Sequence, residues 1–212
     1  MNRADPVLRV ATPDDAPAIE VLMRRSAAAL FPAYYDERQT ASAVRYVAQV
    51  DPVLLADGTY FVLESDDELV ACGGWTRRDR LYTGSGGSEG DSRILDPAGE
   101  PAKVRAMFVH PAWTRRGLGR RIIQECERAA WRDGYRRLGL LATLAGVPLY
   151  LACGFRPLEE VAVSLTDGEI VGCVSMDKAI DPPRYADDAT AARESGPGRP
   201  RAKAPGADAA GR

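Results

Sequence analysis

From residue 103 the chain reads KVRAMFVHPAWTRRGLGRRIIQECERAAWRDG, where an extended, strand-like run passes within a few residues into a helical one. Leu118, Ile122, Cys126 and Ala129 or Ala130 recur at helical spacing, with Gly134 just beyond as a stop. A strand that hands over to a helix in this way points to an α/β domain, since both must bury an apolar face against one another. The joint itself carries glycines at 117 and 119, set among Arg115, Arg116, Arg120 and Arg121. A helix start exposes unpaired N–H groups and a positive dipole end, and glycine lets a ligand come close to the main chain. The joint therefore reads as an anion site. The residues alone leave the anion open, because neither GxxxxGK[ST] nor a third glycine of the dinucleotide fingerprint is present. A tight turn flanked by solvated arginines is the plainer reading of a bare GxG.

The remaining elements follow from periodicity. VLRVAT alternates like a strand, and TPDDAPAIEVLMRRSAAALF has a helical apolar face through Ile19, Leu22 and Met23, with Thr12 as its cap. FPAYYDERQTASAVRYVAQVDP gives a broken helix and then a second one through Val44, Val47 and Val50. TYFVLES and ELVACGGWTRR are strands joined at Asp66-Asp67. The Gly/Ser-rich stretch at 78–99 is a long connection, and YRRLGLLAT is a further strand. GVPLYLACGF is a short helix with Pro148 in its first turn and Gly154 at its end, and EEVAVSLTDGEIVGCVSMDKAI is a hairpin about Asp167-Gly168. The order β-α-α-β-β-β-α-β-α-β-β predicts one mixed α/β domain over residues 1–181. Residues 182–212, rich in Ala, Gly, Pro and Arg, have too little apolar surface to offset the entropy of ordering and are expected to form a disordered tail.

Composition narrows the function. A formal net charge of -2 argues against a general nucleic-acid or membrane-surface binder. No export signal or stretch of apolar residues long enough to span a bilayer is evident, which points to a cytoplasmic protein. The four cysteines are widely separated and His110 is the single histidine, so neither a disulfide framework nor a metal site is expected. His110 stands directly before Pro111 and reads as a strand-end residue.

VHPAWTRRGLGRRII, followed some 30 residues later by GVPLYLACGF, resembles the GNAT superfamily of N-acetyltransferases over about residues 7–180. The resemblance implies a central mixed, mostly antiparallel twisted sheet flanked by helices, with acetyl-coenzyme A as co-substrate. It implies cofactor contacts from Phe108 and Val109 through main-chain groups, and from Arg115, Arg116, Gly117, Leu118, Gly119 and Arg120 around the diphosphate. Tyr150, before the GF pair, is implied as the catalytic residue near the sulfur. The family's Gln/Arg anchor position is Thr114 here, so that side chain is missing or replaced by Arg115 and Arg116. The implied reaction is acetyl transfer to a primary amine of a small molecule or peptide, by direct attack on the thioester. A non-catalytic acyl-coenzyme A-binding module of the same fold is the alternative, and a homodimer is compatible with the family. No carboxylate lies on KVRAMFV, which leaves the general base unassigned, with Glu100 and Glu64 as candidates. Tyr34, Tyr35 and Asp36 could face a cationic acceptor or simply pack.

Overall fold

The computed structural model describes residues 5–79 and 93–181. The tail expected from residue 182, and most of the long 78–99 connection, lie outside the described residues. Strand β1 (Val7–Val10) leads through a short 3-10 turn into helix α1 (Ala16–Leu30), and then α2 (Glu37–Tyr46) and α3 (Pro52–Ala56) follow. The hairpin β2 (Tyr60–Ser65) and β3 (Glu68–Thr76) precedes β4 (Ala102–Val109), α4 (Leu118–Arg132), β5 (Arg137–Thr143) and α5 (Val147–Ala152). The final hairpin is β6 (Arg156–Ser164) and β7 (Ile170–Ala179).

Local chemistry accounts for most of these boundaries. The Asp66-Asp67 turn is a two-residue connection with both φ values positive, 50° and 61°, which matches the twist of the strands it joins. Asp36 caps α2 by accepting the Gln39 N–H at 2.8 Å. Three boundaries differ from expectation. α2 ends at Tyr46, short of Val47 and Val50, because the chain must leave that helix before Asp51 caps the next one. The helix α3 does not appear in the hydrophobic periodicity because it is a single turn. It is nonetheless set by Asp51, which accepts the Val53 N–H, and by Pro52 in its first turn. β6 begins at Arg156 and not at Glu159, because Pro157 sits on an outer strand where a missing N–H is tolerated.

The sheet runs β1-β2-β3-β4-β5-β7-β6, and every neighbouring pair is antiparallel except β4 and β5. That one parallel pair is also the weakest seam. β4 and β5 register only at Ala102 with Leu138 and Lys103 with Gly139. β5 meanwhile stays paired with β7 along its whole length. The two strands therefore part after their first residues, and the β5-facing edge of β4 from 104 to 109 has no strand beside it. The result is a slot through the sheet that widens toward the carboxyl ends of both strands.

Helices cover the two faces. Ile19, Met23 and Phe31 of the α1 side pack with Tyr60, Val62, Cys72 and Phe108. Adjacent strand residues point to opposite faces, so Gly73 and Met107 look the other way. A Cβ at Gly73 would meet the Met107 sulfur and Ile122 of α4, which puts α4 on that opposite face.

Ion pairs pin the sheet's near edge to the helices. Arg9 donates to both Asp15 oxygens at 2.8 Å, and Arg78 forks onto Asp57 at 2.8 and 2.9 Å. The Arg9 and Arg78 guanidinium groups hold the Asp15 and Asp57 carboxyls below the ordinary carboxylate range. A depressed folded-state pKa contributes stability that is complete above the unfolded value, near pH 4, and is lost as pH falls through the folded value. The melting temperature should thus fall as pH is lowered from about 5 toward 2. Asp57→Asn should lower the neutral-pH melting temperature and flatten that acid limb; thermal melts across the series check both.

Candidate functional site

β4 ends at a tightly braced corner. The His110 N–H bonds the Val70 carbonyl at 2.9 Å, and His110 Nδ1 accepts the Ala112 N–H at 3.1 Å. The imidazole thus caps the 3-10 turn Pro111–Trp113. The Thr114 hydroxyl donates back to the Pro111 carbonyl at 3.1 Å, so the side chain at the family's anchor position braces this turn.

Beyond Thr114 the backbone turns over twice. Arg115 has φ +61° and Gly117 has φ +80°, both in the left-handed region. At Gly117 nothing lies within 4 Å of a built Cβ, so it is the conformation and not crowding that favours glycine. Left-handed residues interleaved with ordinary ones turn successive N–H groups into a concave nest. No acceptor among the described residues takes a backbone N–H from Arg115 to Arg120; the first bonded amide of α4 is Arg121, to the Gly117 carbonyl at 3.0 Å. This run of unsatisfied donors sits at the positive end of a 15-residue helix.

The arginines divide into separate roles. Arg116 lies over the Trp113 ring at 4.8 Å, Arg120 donates to the Ala152 carbonyl at 2.9 Å, and Arg121 donates to the Pro6 carbonyl at 2.9 Å. Arg115 has no partner among the described residues, which leaves its charge at the nest. Gly119 differs from Gly117: it is buried, and a Cβ there would stand 2.8 Å from Leu149 Cδ2. Its smallness lets the first turns of α4 and α5 touch. Leu118 is buried beneath the same turn.

The slot starts at this corner. Since His110 bonds toward β3, strict alternation turns the main-chain groups of Val109 and Met107 toward the slot and those of Phe108 toward β3. Phe108 is instead a core side chain, 7% exposed. Met107 was not visible as a candidate in the sequence, because alternation can be assigned only once the neighbouring strand is known. Register slips between Cys72 and Gly74, where Ala106 takes φ +51°. The Tyr60 hydroxyl donates to the Ala106 carbonyl at 2.6 Å and fixes this bulge.

Tyr150 lies one residue beyond the Gly119–Leu149 contact. It is 8% exposed, with its ring edge-on to Phe155 at 5.6 Å and over Gly146, where a Cβ would be 3.0 Å from Cε2. Burial raises its pKa well above the ordinary phenol value, with the nearby Cys126 and Cys153 adding to the effect. Its hydroxyl has no hydrogen-bond partner among the described residues. The ring is buried while the hydroxyl is left available to a partner from outside the chain.

The family model of the acetyltransferase (GNAT) domain matches residues 56–157, from the end of α3 to the start of β6. Over that stretch the chain matches the GNAT domain. Its fold extends past that match into known structures. A GCN5-related N-acetyltransferase of Rhodopseudomonas palustris aligns with TM-score 0.63 at 20% identity, over 84% of this chain and 98% of that one. PaiA N-acetyltransferase of Thermoplasma acidophilum, solved with coenzyme A, gives 0.58 at 16%, over 83% and 99%. The Salmonella typhimurium protein yncA, solved with its cofactor acetyl-CoA, gives 0.55 at 16%, over 84% and 95%. Comparison with curated proteins gave no match.

Several side chains that the sequence offers for chemistry are structural here. Glu100 receives both Arg93 nitrogens, at 2.6 and 2.7 Å, and the Asp96 N–H, which hold its carboxyl at about 2. Glu64 accepts from Arg9 at 2.9 Å. Tyr35 is buried, and its hydroxyl donates to the Gly172 carbonyl at 2.7 Å while accepting the Leu144 N–H at 2.8 Å. With Asp36 spent on capping α2, only the exposed Tyr34 of that trio is uncommitted. Among the described residues no cluster of metal-ligating side chains occurs, and no helix is long and apolar enough to cross a membrane.

Proposed function

We propose that this GNAT domain is an acetyl-coenzyme A-dependent N-acetyltransferase that acetylates a primary amine of a small molecule or peptide by direct attack. The observation that carries the reading is the unbroken run of unsatisfied N–H groups at 115–120, opening onto the mouth of the β4/β5 slot. The residues fit the cofactor. The nest and Arg115 match a diphosphate in charge and donor count, and the unpaired edge of β4 offers main-chain groups to an extended amide-bearing arm.

Acetyl-coenzyme A, when bound, supplies an acetyl group activated as a thioester. The backbone from Arg115 to Arg120 holds the diphosphate, with Gly117 supplying the left-handed turn and Arg115 an added charge. Val109 and Met107 would orient the arm from the β4 edge, whose N–H groups could serve the negative charge that develops on an acyl oxygen. Tyr150 would hold a phenolic proton available to the sulfur. Its hydroxyl would be the group available to the departing sulfur, and solvent would take the proton of the amine. Phe108, Leu118 and Gly119 serve by packing, which keeps the corner in this geometry.

Calorimetric titration with acetyl-coenzyme A tests the reading. Wild type should bind, and Gly117→Val should bind about 5- to 30-fold more weakly, since forcing a β-branched residue into the left-handed region costs roughly 1–2 kcal/mol. A wild-type protein that gives neither heat nor a shift in melting temperature removes the proposal. The second reading, a non-catalytic acyl-coenzyme A-binding module, is favoured by the engagement of Glu64 and Glu100 with arginines. It predicts binding without thiol release on any amine.

A further inference from the structure

The face of the sheet away from α4 holds a cavity beside the strand that parts from β4. Ala106 on one lip and Leu141 on the other both pack into the apolar cluster of the α1 side. Beside Leu141 lies a cavity of about 60 Å³ between the end of α2, β5 and the final hairpin. Val47, Leu141, Val163, Leu165 and Val171 line it, with Thr143 and Cys173 as the two less apolar members.

Resting on the acetyltransferase reading above, we infer that this cavity receives the side chain of the acceptor, and that the acceptor is an α-amino group on a residue with a short aliphatic side chain, as at a peptide N-terminus or in an amino-acid amide. Three observations converge. First, no charged side chain lines the cavity, so a lysine ammonium or a polyamine placed there would be desolvated without a partner. Burial pushes the Cys173 thiol up to about 11, which keeps that wall neutral as well. Carboxylates on the flanking turns are already taken: Asp167 accepts from Ser42 at 2.7 Å, Glu169 pairs with Arg38 at 3.3 Å, and Asp36 caps α2.

Second, the volume suits a short chain. An engineered cavity of roughly 150 Å³ accommodates benzene, whereas this one has less than half of that. Its walls are fixed in advance. The Tyr35 hydroxyl ties β7 to the loop after β5, and Gln39 Nε2 donates to the Ile170 carbonyl at 2.7 Å.

Third, the chemistry of deprotonation selects the same acceptor. Glu64 and Glu100 are both held by arginines, and no carboxylate faces the slot from β4. The amine must then arrive neutral. An α-amino group has a pKa near 7.8 and a lysine side chain near 10.4, so at neutral pH the neutral fraction of the former is roughly 300-fold larger. An apolar wall and an absent base point to one class of amine.

Initial rates of thiol release from acetyl-coenzyme A at pH near 7.5 test this with four probes: valinamide, glycinamide, Nα-acetyl-lysinamide and spermidine. Valinamide should exceed Nα-acetyl-lysinamide and spermidine in kcat/KM by about 100-fold or more. It should exceed glycinamide by about tenfold, because the methyl groups are what the cavity recognises. Val171→Phe, which fills the cavity, should cut the valinamide-to-glycinamide ratio by about tenfold; should that variant not fold, the wild-type ratio alone decides. Preferential turnover of the lysine derivative or of spermidine overturns the acceptor assignment and leaves acetyl transfer standing. Calorimetric binding of acetyl-coenzyme A with no turnover of any probe overturns the acceptor assignment and transfer together and leaves a binding module. Absence of cofactor binding removes the site as a whole.

Discussion

Gly74→Ala is expected to be the most damaging single methyl group that can be added to the sheet, removing about 3 kcal/mol or more of stability. Gly74 lies in β3 directly across from Tyr60. A Cβ there would stand 2.4 Å from the Thr59 carbonyl oxygen and 2.8 Å from the Tyr60 Cα, and both are backbone atoms that no rotamer change can move aside. Small domains have only about 5–15 kcal/mol in total, so a loss of this size should appear as a large drop in urea midpoint or as failure to accumulate folded protein. Gly99→Ala is the matched control, since nothing lies within 4 Å of its Cβ and its φ is not in the left-handed region. It should change stability by no more than about 0.5 kcal/mol. The effect also reaches the site. Tyr60 is the residue whose hydroxyl holds the Ala106 carbonyl at 2.6 Å, so displacing its ring loosens the bulge that shapes the slot. A Gly74→Ala protein with the urea midpoint of wild type would show that the β2/β3 seam is far more pliable than its packing implies.

The contrast between those two glycines bears on what a sequence can disclose. Features decided by a few neighbouring residues were legible. The Asp66-Asp67 turn, the α4 apolar stripe, the stop at Gly134 and the short helix between Pro148 and Gly154 follow from local conformational preference, and the structure has all of them. The run of unbonded N–H groups at the α4 start was legible for the same reason, because a helix N-terminus after a strand exposes donors whatever surrounds it. Features decided by partners distant in sequence were not. Gly117 and Gly119 look alike in RRGLGR, yet one adopts φ +80° and the other makes room for Leu149. Phe108 and Val109 are adjacent, and only the pairing with β3 decides which one turns its main chain toward the slot. Tyr35 and Glu100 have side chains suited to chemistry, but Gly172, Leu144 and Arg93 use them for structure. The apolar cavity draws on α2, β5, β6 and β7, so no window of sequence contains it.

Tyr150→Phe is expected to lower kcat for thiol release by about 100-fold, the size typical of removing a positioned proton donor. What makes the variant informative is its predicted effect on folding. A tyrosine retained for packing alone would have its hydroxyl satisfied, and deleting it would cost stability with little change in rate. Here the hydroxyl has no partner among the described residues, while the ring keeps its edge contact with Phe155 at 5.6 Å. Phenylalanine preserves that contact and breaks no hydrogen bond among the described residues, so the variant should stay within about 0.5 kcal/mol of wild type in stability. Acetyl-coenzyme A affinity should stay within about twofold, because the nest at 115–120 is untouched; a loss made only in the transition state lowers kcat and kcat/KM together. The pH dependence adds a separate check. Burial raises the phenol pKa, so Tyr150 stays protonated throughout the working range and contributes no falling limb on the alkaline side. The rise of kcat/KM with pH should then follow deprotonation of the amine, and its midpoint should move when the amine is changed for one of different pKa. Unchanged kcat in Tyr150→Phe, together with a loss of stability, would reassign this residue to the core and leave the departing thiolate to be stabilised by the helix termini alone.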